Sequence, residues 1–319
     1  MNGCRGARAL LLAAIATGCS VPPPTATLSP AARGTGQRLR VQVEEENAVR
    51  RVRVEDYVRA AVVSELAPTV ADPAAVDRIL EVQAIVARTY AIANRGRHSA
   101  QGFDLCSTTH CQLYQPSRLE TSPWRQAVDG AVRRTSGRVL WHEGAPALAL
   151  FHADCGGHTS TPVDAWGGTV RPYLSGAPDD GPAEPAHGRW TYSVDAGRVL
   201  EALNGDPRTE VGARLDLVTV LDRDPSGRAH TVGLHGGRER LVPGGVFRDV
   251  LTRHLGVRTV KSTLFDVRRE ASRFVFDGRG FGHGVGLCQA GALARIRAGA
   301  EPLDVLRRYY PGTSLRTIK

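Results

Sequence analysis

Beyond its first twenty residues this chain has no apolar run long enough to span a bilayer. It also lacks three signatures that would direct the reading elsewhere. No Gly-Lys-Ser/Thr follows its glycine-rich passage, so that passage is not a phosphate-cradling Walker loop. No βαβ unit surrounds the same passage, which excludes a dinucleotide-binding fingerprint. No His-Glu-x-x-His accompanies its cysteines and histidines, so the general base of a zinc protease is missing. No internal repeat is visible, which excludes a solenoid. Lysine is scarce, and arginine supplies nearly all of the 41 basic residues.

What is present begins with a leader. Arg5 and Arg8 form a charged start, and residues 9–16 (ALLLAAIA) are a short apolar run that ends in small residues before Cys19. This pattern predicts a signal peptide over 1–18 of the lipoprotein kind, with Cys19 lipidated and anchoring the chain to a membrane. An ordinary secretory signal cut near Gly18 is the alternative. Ser20 follows Cys19 where an Asp would argue against it, which favours the outer membrane and a periplasm-facing protein. Residues 19–37 are rich in Pro, Thr, Ser and Gly without periodicity, so they read as a flexible tether. Residues 38–319 then form the folded part. Without the leader, 39 Lys and Arg face 32 Asp and Glu, a net charge of +7. A basic surface in the cell envelope suits an anionic partner such as peptidoglycan or lipid headgroups, and nucleic acid is excluded by export.

The periodicities predict an α+β fold. Residues 38–54 alternate as a hairpin. Helices are expected near 55–67 and from 72 to about 94, with Asp72 as the cap of the second. Apolar residues cover most of that second helix, so it should be buried. Strands are expected at 138–141, 147–153, 214–221, 228–235, 258–268 and 272–277, with helices near 288–298 and 302–310. Residues 175–189 look like an exposed excursion. The expected architecture is therefore mixed sheets with a buried N-terminal helix pair and a C-terminal helix, in one compact unit.

Glu65 shares a helical stripe with Val58 and Val62. A carboxylate on an apolar face is costly unless it is paired or functional. Burial raises its pKa, which suits a general acid near neutral pH; pairing with Arg88 is the structural alternative. Gln83, Arg88 and Thr89 interrupt the buried helix and either satisfy one another or line a cleft with Glu65. Residues 106–114 (CSTTHCQLY) bring Cys106, His110 and Cys111 together, three donors of the kind that hold zinc. His98, His152 or Cys155 is the candidate fourth ligand, and a Cys106–Cys111 disulfide is the alternative. Residues 151–159 (FHADCGGHT) place Cys155 after a strand, where it pairs with Cys288 or joins the metal. Residues 278–292 (GRGFGHGVGLCQAGA) carry His283, able to polarise a substrate group, and Gln289, able to hydrogen-bond a sugar; a tight packing turn is the alternative.

In this order, the blocks at 54–66, 82–91, 106–114, 151–159, 171–174, 247–251, 260–265, 278–292 and 305–315 resemble the SpoIID/LytB family. The resemblance implies a lytic transglycosylase that cleaves the MurNAc–GlcNAc β-1,4 bond of glycan strands stripped of peptide, leaving 1,6-anhydro ends. It puts the catalytic Glu at Glu65. It also implies structural zinc on Cys106, His110 and Cys111, with His98 as the nearest counterpart of the fourth ligand. The amidase-enhancer branch implies a rival role, a glycan-binding module that stimulates a cell-wall amidase.

Overall fold

The computed structural model describes residues 37–68, 72–180 and 188–318. The expected leader, Cys19 and all of the tether but Gln37 lie outside the described residues. The fold is α+β, with helices packed among several small sheets.

The hairpin forms as the alternation predicts. Strands β1 (Arg38–Val43) and β2 (Ala48–Arg53) pair antiparallel with Val43 opposite Ala48. Leu39, Val41 and Val43 point inward, while Asn47 takes the left-handed turn conformation (φ 48°) that Asn tolerates better than most residues. A short strand, β3 (Leu105–Cys106), joins β1 on its other side in parallel.

Helix α1 (Val54–Glu65) buries Tyr57, Val58, Ala61 and Val62. It stops at Leu66, which turns extended two residues ahead of Pro68. Helix α2 (Pro73–Ala93) starts with Pro in its first turn, and the Asp72 carboxylate accepts from the N–H groups of Ala74 and Ala75. One face of α2 (Val76, Leu80, Ala84, Ala87) packs on α1 and the hairpin. The other (Ile79, Val82, Ile85, Val86) packs on a second core with Leu140, Leu287, Leu293 and Tyr310. A helix apolar all round is stable only when surrounded in this way.

The polar residues of α2 are accounted for individually. Arg88 is fully buried and makes a two-pronged bond to Glu55 of α1, with Nε 2.9 Å from Oε1 and Nη2 2.7 Å from Oε2. Its Nη1 donates to the carbonyls of Ala84 and Arg138. Thr89 donates to Ile85 O and accepts from the Leu140 N–H, tying α2 to the strand Arg138–His142.

A third core lies between Trp190 and Phe276. Strand Arg273–Arg279 runs between Arg189–Asp195 and Phe265–Glu270, and a separate three-stranded sheet holds Leu215–Arg223, Ala229–Gly236 and Arg240–Pro243. Phe247, Phe265 and Phe276 meet in its centre.

Several expectations need correction. Of 147–153, only Phe151–His152 is a strand, because Leu148 N–H turns aside to the Tyr173 hydroxyl and finds no ladder. Within 258–268 the strand begins only at Phe265, since the Ser262 hydroxyl takes the Leu264 N–H in a local turn. Helices Arg125–Arg134, Ala196–Asn204 and Gly244–Leu255 were not expected. The last begins with two glycines, which are poor helix formers. Gly244 is there for contact, since a Cβ would lie 1.9 Å from Ala229 O. Asp179, in the supposed exposed excursion, is buried.

Removing Glu55 strands the fully buried Arg88 charge. Glu55→Ala is expected to cost about 3–5 kcal/mol in urea unfolding. Thr89→Val should cost about 1 kcal/mol, one lost hydrogen bond.

Candidate functional site

Glu65 is the last residue of α1, where the carbonyl end of the helix dipole disfavours a carboxylate. Its Oε1 accepts one hydrogen bond, from the Leu113 N–H at 2.5 Å. Burial outweighs that bond and pushes the carboxyl from 4.5 up to about 7. No other carboxylate contributes to the shift. Gln289, at the start of helix Gln289–Arg297, donates through Nε2 to the backbone carbonyl of Glu65 and to Gln83 Oε1, each at 3.3 Å. Gln83 Nε2 is buried without a partner. Elements more than 200 residues apart in sequence thus meet at the end of α1, with Glu65, Gln83 and Gln289 as neighbours.

The segment after Cys111 clasps α1. Gln112 donates to the Tyr57 hydroxyl and to Ala87 O, and the Gln115 N–H donates to the Ser64 hydroxyl. Leu113 N–H, between these two, is thereby held on Glu65.

Four soft donors sit at the head of this segment. The ligand atoms of His98, Cys106, His110 and Cys111 all lie within 4.8 Å of one another. His98 Nε2 is 3.3 Å from Cys111 Sγ, and His110 Nδ1 is 3.6 Å from Cys106 Sγ and 3.9 Å from Cys111 Sγ. A tetrahedral zinc with ordinary Zn–S and Zn–N bonds puts its nitrogen and sulfur ligands about 3.6 Å apart, so the donor set fits zinc. His98 Nδ1 lies 2.5 Å from Gln101 Oε1, which can only accept; the ring proton is therefore on Nδ1 and the Nε2 lone pair faces the sulfurs. Cys111, His110 and Thr108 around its sulfur push the Cys106 thiol down to about 3, while Cys111 is pushed up by its bond to Cys106 and by burial. Both thiols are free, so the alternative disulfide is not formed.

Two expected site residues lie elsewhere. Arg88 takes Glu55 as its partner, not Glu65, and is fully buried, so it has no surface to offer a substrate. His283 accepts the Val285 N–H on Nδ1 and lies between His152 and Trp166, at centroid distances of 5.4 and 5.1 Å with the rings tilted by 58° and 56°. Burial and the nearby Arg248 and Arg228 lower His283 to about 3, which keeps it neutral. His152 and Cys155 do not join the first metal cluster; with Cys288 they form another. Sequence reasoning missed Leu113, whose role is carried by its backbone. It also missed Trp166, an exposed aromatic beside His283 whose sequence context gave no signal.

Comparison with known proteins finds relatives for most of the chain. A family described as stage II sporulation protein, SpoIID, matches residues 42–142, the stretch that contains Glu65 and the first Cys/His cluster. A domain of unknown function matches residues 180–286, which contain the third core. An uncharacterized protein of Brachyspira hyodysenteriae is 29% identical over 273 residues, 84% of this chain and 67% of that protein. The stage II sporulation protein D of Bacillus amyloliquefaciens is 26% identical over 282 residues, covering 84% of this chain and 76% of its own length. The amidase enhancer of Bacillus subtilis is 26% identical over 280 residues, 74% of this chain but 37% of the enhancer, so the chain spans little more than a third of that relative. The chain thus carries a SpoIID domain at residues 42–142 and is similar along most of its length to relatives named stage II sporulation protein D and amidase enhancer, the two names of the SpoIID/LytB family.

Proposed function

We propose that this chain is a peptidoglycan lytic transglycosylase that cleaves MurNAc–GlcNAc β-1,4 bonds in peptide-stripped glycan strands, with Glu65 as its acid and base. The observation that carries the reading is a lone, desolvated carboxyl raised to about 7 at the end of α1. Hydrolytic glycosidases use two carboxyl groups. A single one suffices when the substrate supplies its own nucleophile. Protonated Glu65 gives its proton to the glycosidic oxygen as the C1–O4 bond breaks. The resulting carboxylate then takes the proton of the MurNAc C6 hydroxyl as O6 bonds to C1. The product is a 1,6-anhydro end, and Glu65 is protonated again. Gln289 is placed to orient the sugar beside Glu65, and buried Gln83 holds Gln289.

In this reading His98, Cys106, His110 and Cys111 hold a structural zinc. Its contribution is to fix the loop that presents the Leu113 N–H to Glu65. Lipidated Cys19 would hold the enzyme to a membrane at the cell envelope. The relative named amidase enhancer supports a second reading, in which the chain binds glycan and stimulates a cell-wall amidase.

Peptide-free glycan strands incubated with the protein should yield anhydro-ended sugars by mass spectrometry, and Glu65→Gln should lower the rate by about 10²–10⁴. Intact strands that stay bound, with an amidase stimulated equally by Glu65→Gln, would replace the enzyme reading with the second one. Because the acid must be protonated, kcat/KM should be flat below pH 7 and fall tenfold per pH unit above it; an unshifted carboxyl would place the fall near 4.5.

The same shift has a stability consequence. The folded pKa lies above the unfolded value, so the folded state binds the proton more tightly, and stability declines as pH rises from 4.5 to about 7. Glu65→Gln removes this titration. The variant should match the wild type at pH 4 and exceed it by at most about 3 kcal/mol at pH 8 in urea unfolding. The zinc reading predicts that Cys106→Ala loses one zinc per chain by atomic emission and weakens the clasp on α1.

A further inference from the structure

A second group of soft donors lies apart from the Glu65 site and has no part in the proposed reaction. Strands Phe151–His152 and Leu287–Cys288 pair in parallel, with Cys288 opposite His152. The chain then passes through Gly156 and Gly157, both at positive φ, which folds Cys155 back toward Cys288. His152, Cys155 and Cys288 are 4%, 3% and 1% exposed, and their donor atoms all lie within 4.8 Å of one another.

Two further observations bear on what these donors hold. Backbone N–H groups converge on both sulfurs. Those of Cys155 and Gly291 point at Cys288 Sγ, at 3.2 and 3.3 Å, and that of Gly157 points at Cys155 Sγ at 3.3 Å. These donors leave the sulfur lone pairs turned toward the interior of the cluster's backbone cradle, and Cys288 is also the cap of the helix that starts at Gln289. The second observation is on the imidazole. His152 Nδ1 lies 3.2 Å from Val285 O, which can only accept, so the proton is on Nδ1 and Nε2 is a bare lone pair. That Nε2 is buried and has no hydrogen-bond partner. Burial and the nearby His283 and Arg228 keep the ring neutral.

We propose that His152 Nε2, Cys155 Sγ and Cys288 Sγ are the ligands of a second metal site, for a thiophilic d¹⁰ cation, zinc(II). Binding exchanges two thiol protons for the ion, so the two thiolates balance its charge. It also gives the stranded imidazole nitrogen a partner. The bond from His152 Nδ1–H to the Val285 carbonyl is of the kind that ligating histidines ordinarily make. The donors close from within 4.8 Å to about 3.6–3.8 Å around the ion. Cys155 and Cys288 also line a cavity of about 240 Å³, together with Asp154, Asp179, Arg189 and Arg279. Asp179 Oδ2 is 3.5 Å from Cys155 Sγ but is already engaged by the Tyr309 hydroxyl, and its Oδ1 by Arg295. The fourth corner is therefore available to a water or a small exchangeable ligand. A Cys155–Cys288 disulfide is the competing state. It needs the sulfurs at about 2.05 Å, and it leaves Nε2 without a partner.

The test reads metal, not glycan cleavage, so it stands or falls apart from the proposed reaction. The full chain is purified with a phosphine reductant in the absence of oxygen, and a Cys106→Ala/Cys111→Ala variant is titrated with cobalt(II). One cobalt per chain with a sulfur-to-metal charge-transfer band is expected, and adding Cys288→Ala should abolish it. No cobalt or zinc bound in the double variant overturns the proposal, whether peptide mapping then finds a Cys155–Cys288 disulfide or two free thiols. If the double variant does not fold, zinc counting on the otherwise unaltered chain decides. Cys288→Ala must remove one zinc per chain from a protein whose circular dichroism is unchanged, and an unchanged zinc count overturns the proposal.

Discussion

From Val82 to Ile92 helix α2 has no residue that is left in water. Its two sides belong to two different cores, one closed by α1 and the hairpin, the other by the C-terminal helices and the strand at 138–142. Burial on this scale sends the polar groups of the helix to partners inside the protein, and leaves Gln83 Nε2 without one. Arg88 therefore takes Glu55, and Thr89 takes Ile85 and Leu140. Gln83 reaches Gln289 at the head of a helix that begins more than 200 residues later. The site exists because α2 is the wall shared by the two cores, and Glu65 and Gln289 come to it from opposite sides.

The carboxyl of Glu65 is set by two opposed effects, burial raising its pKa and one backbone N–H lowering it. That N–H belongs to Leu113, held between the Gln112 and Gln115 contacts on α1 and α2. The chain enters this clasp directly from Cys111. In the proposed reading the zinc ligands are thus mechanically close to the acid without touching it, and loosening the cluster would alter the acid's one hydrogen bond before it altered the acid's burial. The hydrogen bond that orients the carboxyl and moderates the rise caused by burial comes from this one short segment.

Much of this was legible in the sequence because periodic apolar patterns report burial directly. The hairpin, α1, α2 and the Asp72 cap formed where period and capping chemistry put them. Glu65 was visible as a carboxylate on an apolar stripe, and the Cys/His group as donors in one short loop. Arg88 was misread because a helical position does not say which of two carboxylates on the neighbouring helix is in reach. Glu55 and Glu65 are both on α1, and only the crossing of the helices selects Glu55. Leu113 was invisible as a functional group because it acts through its backbone, which no side-chain pattern encodes. The helix at 244–255 was hidden by its two leading glycines, of which Gly244 serves close packing against Ala229 and Gly245 against Ala165.

The glycine-rich passage at 278–292 shows why one motif is read wrongly when it is assigned one task. Its residues face two ways. Gln289 turns toward Gln83 and Glu65, whereas Cys288, the residue before it, turns toward Cys155 and His152. Adjacent residues at a strand end leave on opposite sides, so Leu287–Cys288 and the helix start after it separate two buried polar clusters by a single peptide unit. Packing that holds one cluster in register holds the other. Gly286 is fixed for the same reason, since a Cβ there would lie 2.1 Å from Leu150 O and push the two short strands apart. The density of glycine in this passage follows from backbone packed against backbone at the seam between the Glu65 site and the second group of sulfurs, and does not require a bound phosphate.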